Sequence, residues 1–370
     1  VTDPEVREPF DPDIHFDPKK VSPSRVNSLT ECGVAFRMKY LEQLPEEVVG
    51  SAALFGNVFH AAAEKWSLNR SQDLLALMRQ AWLDVTKEAP VVSQFLGEYQ
   101  LISTEVLWAE HEAREKWEAE PRNKGKKSQA PRMTKYFKES DACKKLNRLL
   151  GQWIPKLNEG SPWRFNERDP LPALYDESLV LARRYEARWG HLPPSLHTEF
   201  AFDVPWRGFR LTGFIDAIDP LVDRETGDLI GVGVIDYKTY RKAPAEHKDW
   251  RQLVMYDVAV GYLREQGVLQ LPEWVGESDV KVGIDYARWT DAWKDEEGEP
   301  FPPRRFWQIT AEDHDALESE LQSYSATVEQ RNFLPAAKST NPDFCNYGSL
   351  CCLRTRSSAG GCATPVEVNL

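Results

Sequence analysis

The stretch GVGVIDYKTY, residues 231–240, decides how this chain is read. Gly231 to Ile235 is small and apolar, as in a buried strand. Asp236 and Lys238 then follow two residues apart, and side chains alternate faces along a strand, so this acid and base point the same way. Alone, such a pair is a structural salt bridge. A second carboxylate changes the reading. Asp216 lies in GFIDAID on the preceding strand-like run, and the connection LVDRETGDLIG is short and turn-like. An antiparallel pairing therefore brings Asp216 and Asp236 together. Two carboxylates side by side in an apolar sheet repel each other unless a cation sits between them. Oxygen ligands of this kind suit Mg²⁺ or Mn²⁺ rather than zinc. A lysine beside such a metal suits phosphodiester hydrolysis. The metal would activate water, and Lys238 would hold that water and offset charge on the phosphate oxygens.

Outward from this segment the texture is mixed. SPSRVNSLTECGVAFRMKYL, from Ser22, has a capped helical start that breaks near Cys32 and Gly33. Helical pattern runs from Ala53 to about Trp117, resumes in KKLNRLLGQWIPKL, and covers residues 176–189. After His191 come three strand-like runs, LHTEFAFDVPW, FRLTGFIDAIDP and LIGVGVIDYKTY, with Pro220 and the stretch 225–228 as turn signals. WRQLVMYDVAVGYLRE is a helix, VKVGIDYARW and RRFWQITA are two more strands, and AEDHDALESELQSYSATVEQ is a helix. The order predicts an α/β (mixed α+β) fold with a long helical insertion. Two helical features are candidates to complete the site. His60 stands one turn after Gly56 in FGNVFH, and Gln252 and Tyr256 lie at i, i+4 on one helix face. Glu199, on the strand before Asp216, is a further candidate for metal work, and a plain strand glutamate is an equal reading.

Composition sets the outer bounds. With 370 residues the chain holds one large domain or two ordinary ones, and 41% hydrophobic and 28% charged residues are values of an ordinary globular protein. No apolar run is long enough to span a membrane and no secretory signal is visible, so a cytoplasmic protein is expected. A net charge of −12 argues against nucleic acid as a partner over the surface at large. Residues 122–148 are locally basic, however, and Lys124, Lys126, Lys127, Arg132 and Lys135 are candidate phosphate contacts; a solvated insertion is the plainer reading. Four of the six cysteines fall in the last 26 residues, a cluster that in a cytosolic chain points to a metal site. No G-x₄-G-K-[ST] phosphate loop is present, so any ATP-driven unwinding would come from a partner.

GNVFH, GFID, VIDYK and QLVMY, in that order, resemble the RecB-like branch of the PD-(D/E)xK nuclease superfamily, and SPSRVNSLTECGVAFRMKYLEQLP resembles the opening of that branch. The resemblance spans roughly Ser22 to Cys362, without the helical region between Trp66 and Leu196. It implies a restriction-endonuclease-like core, a central mixed sheet flanked by helices, and metal-dependent DNA cleavage. His60, Asp216, Asp236 and the Tyr237 backbone carbonyl would be metal ligands, Lys238 the catalytic lysine, and Gln252 and Tyr256 the bracing motif. The layout also resembles CRISPR-associated RecB-like nucleases and AddB, in which one amino-terminal and three carboxy-terminal cysteines hold a [4Fe–4S] cluster. Cys32, Cys345, Cys351 and Cys362 would be its ligands here, with Cys352 an alternative third ligand and Zn²⁺ an alternative to the cluster. The tail departs from the C-x₂-C-x₅-C spacing, because Pro342 stands where one cysteine would fall. The expected organisation is an arm over 1–25, a nuclease domain over 26–335 with its insertion at about 67–190, and a cysteine-rich segment over 336–370. The expected activity is that of a deoxyribonuclease, an exonuclease acting on DNA ends or single strands in recombination, repair or phage DNA metabolism, with a helicase or recombination protein as a possible partner. The alternative is a non-catalytic DNA-binding or assembly subunit with the same fold.

Overall fold

The computed structural model describes residues 16–44, 46, 49–123, 134–165, 170–223, 225–244, 249–276, 279–295, 297–334 and 347. It divides into two compact units, one of Val1–Val48, Ser67–Asn69 and Leu192–Leu370, the other of Val49–Trp66 and Arg70–His191.

The first unit is built on a six-stranded mixed sheet. Its strands are β1 (Lys20–Val21), β2 (His197–Trp206), β3 (Phe209–Val222), β4 (Leu229–Lys238), β5 (Val280–Tyr286) and β6 (Arg304–Trp307). β3 is the organiser. It pairs antiparallel with β2 along Phe209–Ile218 and antiparallel with β4 from Ala217 onward, while β1 runs parallel to its start. β4 then pairs parallel with β5, and β5 antiparallel with β6. A parallel neighbour needs a crossover, and the helix α2 (Trp250–Glu265) lies in the connection between β4 and β5. The helices α1 (Pro23–Glu31) and α3 (Ala311–Glu329) also belong to the unit. The Ser22 side chain caps α1, and Thr310 with Asp313 forms a capping box on α3. The core gathers Val232, Val234, Val282 and Ile284 from the sheet with Leu253, Tyr256, Leu317 and Leu321 from the helices. The mixed sheet flanked by helices is the architecture the sequence predicts.

Pro220 differs from its expected role as a turn. It lies inside β3, opposite Val232. The β2 ladder has already ended at Ile218, so one edge of β3 is free of pairing there among the described residues, and a proline's missing N–H costs nothing on that side. The turn falls later, where the Asp223 carboxylate accepts from the N–H groups of Glu225 and Thr226, and Gly227 supplies φ +78°.

At the other end of the unit, Cys32 closes α1 by donating its N–H to the Ser28 carbonyl. A Cβ on Gly33 would stand 2.8 Å from the backbone of Leu334, so only glycine lets these two segments approach so closely.

The second unit is helical, with helices Ser51–Leu68 (its last residues assigned to the first unit), Leu74–Thr86, Pro90–Glu118, Asp141–Gly160 and Leu171–Trp189. Buried rings hold it together: Phe59 meets Tyr185 at 5.2 Å and Tyr99 meets Tyr175 at 5.8 Å. Two of the polar tips find partners within the unit, Trp82 Nε1 donating to Ser178 Oγ at 2.7 Å and the Tyr99 hydroxyl to Asp176 Oδ2 at 2.6 Å. No helix among the described residues is long and apolar enough to cross a membrane.

Candidate active site

β4 ends as the alternation of its side chains requires. Asp236 and Lys238 leave the strand on one side and form an ion pair, Nζ to Oδ2 at 2.6 Å, with 3% and 19% of the two side chains exposed respectively. α2 closes on them with its Gln252–Tyr256 face. Lys238 Nζ donates to Gln252 Oε1 at 2.9 Å, while Gln252 Nε2 donates to Asp236 Oδ1 at 2.6 Å and to the Tyr256 hydroxyl at 2.7 Å. The cation takes the amide's oxygen and the carboxylate its nitrogen, so the flip of Gln252 is fixed by chemistry. The Tyr256 hydroxyl donates in turn to the Phe214 carbonyl at 2.7 Å, which anchors the chain of bonds to β3.

The electrostatics follow from this burial. Desolvation pulls the Lys238 pKa down, but the carboxylates of Asp236, Asp249 and Asp216 outweigh it and leave it raised. Desolvation, reinforced by Asp236 and Asp216, pushes the Tyr256 phenol well above its ordinary value, so it stays a hydroxyl donor. Asp249, just before α2, also accepts from the Tyr240 hydroxyl at 2.9 Å and is a negative neighbour the sequence reading did not single out.

Asp216 stands where β3 and β4 part. Their ladder reaches Ala217 opposite Ile235, and past that pair the N–H of Tyr237 donates to Asp216 Oδ2 at 2.7 Å. The short connection therefore places the two aspartates on adjacent strands, as expected. Across β3 from Asp216 is Glu199, flanked by the pairs Thr198–Ala217 and Phe200–Ile215. Glu199 has φ +46°, uncommon for a non-glycine residue and more so within a strand. Carboxylate oxygens of Glu199 and Asp216 lie within 4.8 Å of each other. A left-handed residue beside a second acid makes Glu199 a candidate for the site. Two oxygens at such a spacing fit a divalent cation with bonds of about 2.0–2.6 Å to each.

The underside of β4 is anchored separately. The Tyr237 hydroxyl and Ser67 Oγ are hydrogen-bonded at 3.0 Å, and Asp219 accepts from Ser195 Oγ at 2.5 Å. Arg304 pairs with Asp219 at 3.0 Å and with Asp285 at 2.7 Å, all three side chains being nearly or fully buried.

Other expected residues belong to other elements or fall outside the described residues. His60 is on the helix Ser51–Leu68, in the helical unit. Lys135 opens the short helix Lys135–Lys138 and pairs with Glu120 at 3.6 Å; Lys124, Lys126, Lys127 and Arg132 fall outside the described residues. Cys32 is half-buried and has no disulfide partner among the described residues, and Cys345, Cys351, Cys352 and Cys362 fall outside them.

The family model described as the PD-(D/E)XK nuclease superfamily matches residues 20–137 and 135–352. No curated protein matches the chain.

Proposed function

The chain belongs to the PD-(D/E)XK nuclease superfamily, and from that premise we propose that it is a Mg²⁺- or Mn²⁺-dependent deoxyribonuclease acting on DNA ends or single strands. The observation that carries this reading is the end of β4, where Asp236, Lys238 and Gln252 are bonded into one unit next to the Glu199–Asp216 carboxylate pair. Glu199, Asp216, Asp236 and the Tyr237 carbonyl are the proposed ligands, and His60 joins them by its place in the motif order. A bound divalent ion supplies Lewis acidity, lowering the pKa of a water and neutralising charge on the scissile phosphate. The protein's part is positioning. The Tyr237 N–H holds the Asp216 carboxylate in one orientation, and Gln252 holds Asp236 and Lys238 at fixed separation. The Lys238 ammonium donates to a phosphate oxygen or the attacking water as negative charge develops.

Membership of the RecB-like branch, exonuclease action in recombination, repair or phage DNA metabolism, and a helicase or recombination partner extend the same proposal. So does a [4Fe–4S] cluster on Cys32, Cys345, Cys351 or Cys352, and Cys362. Its support is that Gly33 packs on the Leu334 backbone, and that the Tyr347 hydroxyl donates to the Leu44 carbonyl at 3.3 Å, so that Leu334 and Tyr347 each meet the region after Cys32. Iron and sulfide analysis of anaerobically purified protein tests the cluster, and a colourless, iron-free, soluble protein refutes it.

The activity is tested with linear, circular and single-stranded DNA labelled at either end, with Mg²⁺ or Mn²⁺. Progressive loss of linear substrate by the wild type, abolished in both Asp236→Ala and Lys238→Ala, is expected. Cleavage at the wild-type rate by either variant removes the mechanism. Binding without cleavage by the wild type would give the non-catalytic DNA-binding reading instead.

A further inference from the structure

The helical unit leaves an apolar groove open between three of its helices. Residues at i, i+3, i+4 and i+7 share one helix face, and Thr104, Leu107, Trp108 and His111 turn such a face of Pro90–Glu118 into the groove. Leu179 and Val180 line it from Leu171–Trp189, and Leu75 from Leu74–Thr86. The cavity is about 550 Å³, within the range of small-ligand sites. Its floor is not covered by the fold: Trp108 is 65% exposed and Val180 42%. The same helix buries Phe95, Tyr99 and Val106 elsewhere, so the exposed indole beside the exposed Val180 is an apolar patch that a ligand can cover.

The charge around the groove says what binds. Arg79, Arg183, Arg184 and His111 line it, and among the described residues no carboxylate is one of its lining side chains, on a chain whose net charge is −12. Arg183 is partly neutralised by Asp73 at 3.3 Å and Glu186 at 3.0 Å, and His111 faces Glu115 at 3.6 Å, so the anion-facing work falls mainly to Arg79 and Arg184. An exposed indole and apolar side chains lined by arginines complement a polyanion that carries unpaired planar rings. A duplex cannot use it, because its bases are already stacked inside. The geometry points to a single-stranded DNA site in the helical unit, with a base stacked on Trp108 and backbone phosphates on Arg79 and Arg184. This rests on the proposed deoxyribonuclease reading for the identity of the polyanion, and it adds a place where an unpaired strand is held.

The test is fluorescence anisotropy of a fluorescein-labelled oligo-dT with the full chain in EDTA, where binding is measured without cleavage. Trp108→Ala is expected to weaken binding by about tenfold, the low end of a lost stacking contact, while Trp108→Phe stays within about threefold. Arg184→Ala and Arg79→Ala should each lower the slope of log K against log salt by about 0.7, one single-strand phosphate contact, and Trp108→Ala should leave that slope unchanged. Affinity for a blunt duplex should not change in Trp108→Ala. Circular dichroism checks that each variant is folded. Failure of the wild type to bind the oligonucleotide, or equal binding by Trp108→Ala, overturns the proposal. So does a concentration-dependent dimer in sedimentation that Trp108→Ala abolishes, which would assign the groove to a second copy of the chain. The two readings fail separately: cleavage surviving in Asp236→Ala removes the catalytic mechanism and leaves the groove, whereas oligonucleotide binding indifferent to Trp108 removes the groove alone.

Discussion

Replacing Arg304 by methionine should destabilise the sheet unit more than most single changes, and the cost can be worked from its contacts. The Arg304 guanidinium, 7% exposed, pairs with Asp219 at 3.0 Å and meets Asp285 Oδ2 through Nη2 at 2.7 Å and Nε at 3.1 Å. The Asp219 and Asp285 side chains are 2% and 0% exposed. At an effective dielectric near 20, each unit-charge pair at about 4 Å is worth about 4 kcal/mol, set against the desolvation that Arg304 no longer suffers once removed. Breaking a buried ion pair from one side typically nets about 3–5 kcal/mol, because the surviving charge is left in place. At about 2–4 °C per kcal/mol for a domain of this size class, Arg304→Met should melt about 6–20 °C below the wild type. The assay is thermal unfolding in metal-free buffer, followed by circular dichroism. The triple variant Arg304→Met, Asp219→Asn, Asp285→Asn should recover most of the loss, since it removes the orphaned charges along with their partner. A melting point for Arg304→Met within about 2 °C of the wild type, or a triple variant less stable than the single one, would refute the reasoning.

Three further outcomes are expected. Glu199→Gln relieves the repulsion with Asp216, so without metal it should melt at or above the wild-type temperature; the stabilisation of about 2.7 kcal/mol that Mn²⁺ gives at a hundred times its Kd should shrink in the variant, as thermal shift measures. Gln252→Leu cuts the links from α2 to Asp236 and Lys238 and should lower the Mn²⁺-dependent cleavage rate by about 10–100-fold with little change in melting temperature; an unchanged rate argues against the bracing role. Asp257 has its pKa raised by burial, which outweighs the ion pair with His314, so its carboxyl favours the fold only below its unfolded pKa and loses that contribution as pH rises through the folded one. Asp257→Asn should therefore gain on the wild type at pH 7 and lose that gain near pH 4, and the opposite trend in melting temperature would reverse the balance between burial and His314.

Much of the site was legible because its signals are local. Period-two alternation in GVGVIDYK assigns Asp236 and Lys238 to one side, and the i, i+4 spacing of Gln252 and Tyr256 assigns them to one helix face; in the fold these four side chains form a single bonded group. The short connection from β3 to β4 also made Asp216 the neighbour of Asp236. The weight of Glu199 was not legible, since a left-handed φ inside a strand leaves no trace in an alternating pattern. Pro220 misled for a related reason: proline opposes a strand only where its nitrogen faces a ladder partner, and one edge of β3 lacks such a partner after Ile218.

The amino-acid sequence by itself determined most of the strands and helices and the side of β4 and of α2 that carries the chemistry, because backbone periodicity turns a residue's position into a direction. Only the tertiary structure decided which of those sides meet. Asp219, Asp285 and Arg304 come from three different strands and become one buried cluster solely through the order β3–β4–β5–β6, and Trp108 becomes the floor of a groove only when two other helices wall it in. Sheet order and helix packing belong to the whole chain, since they are set by the summed burial of every apolar face, and no short stretch of residues carries that sum.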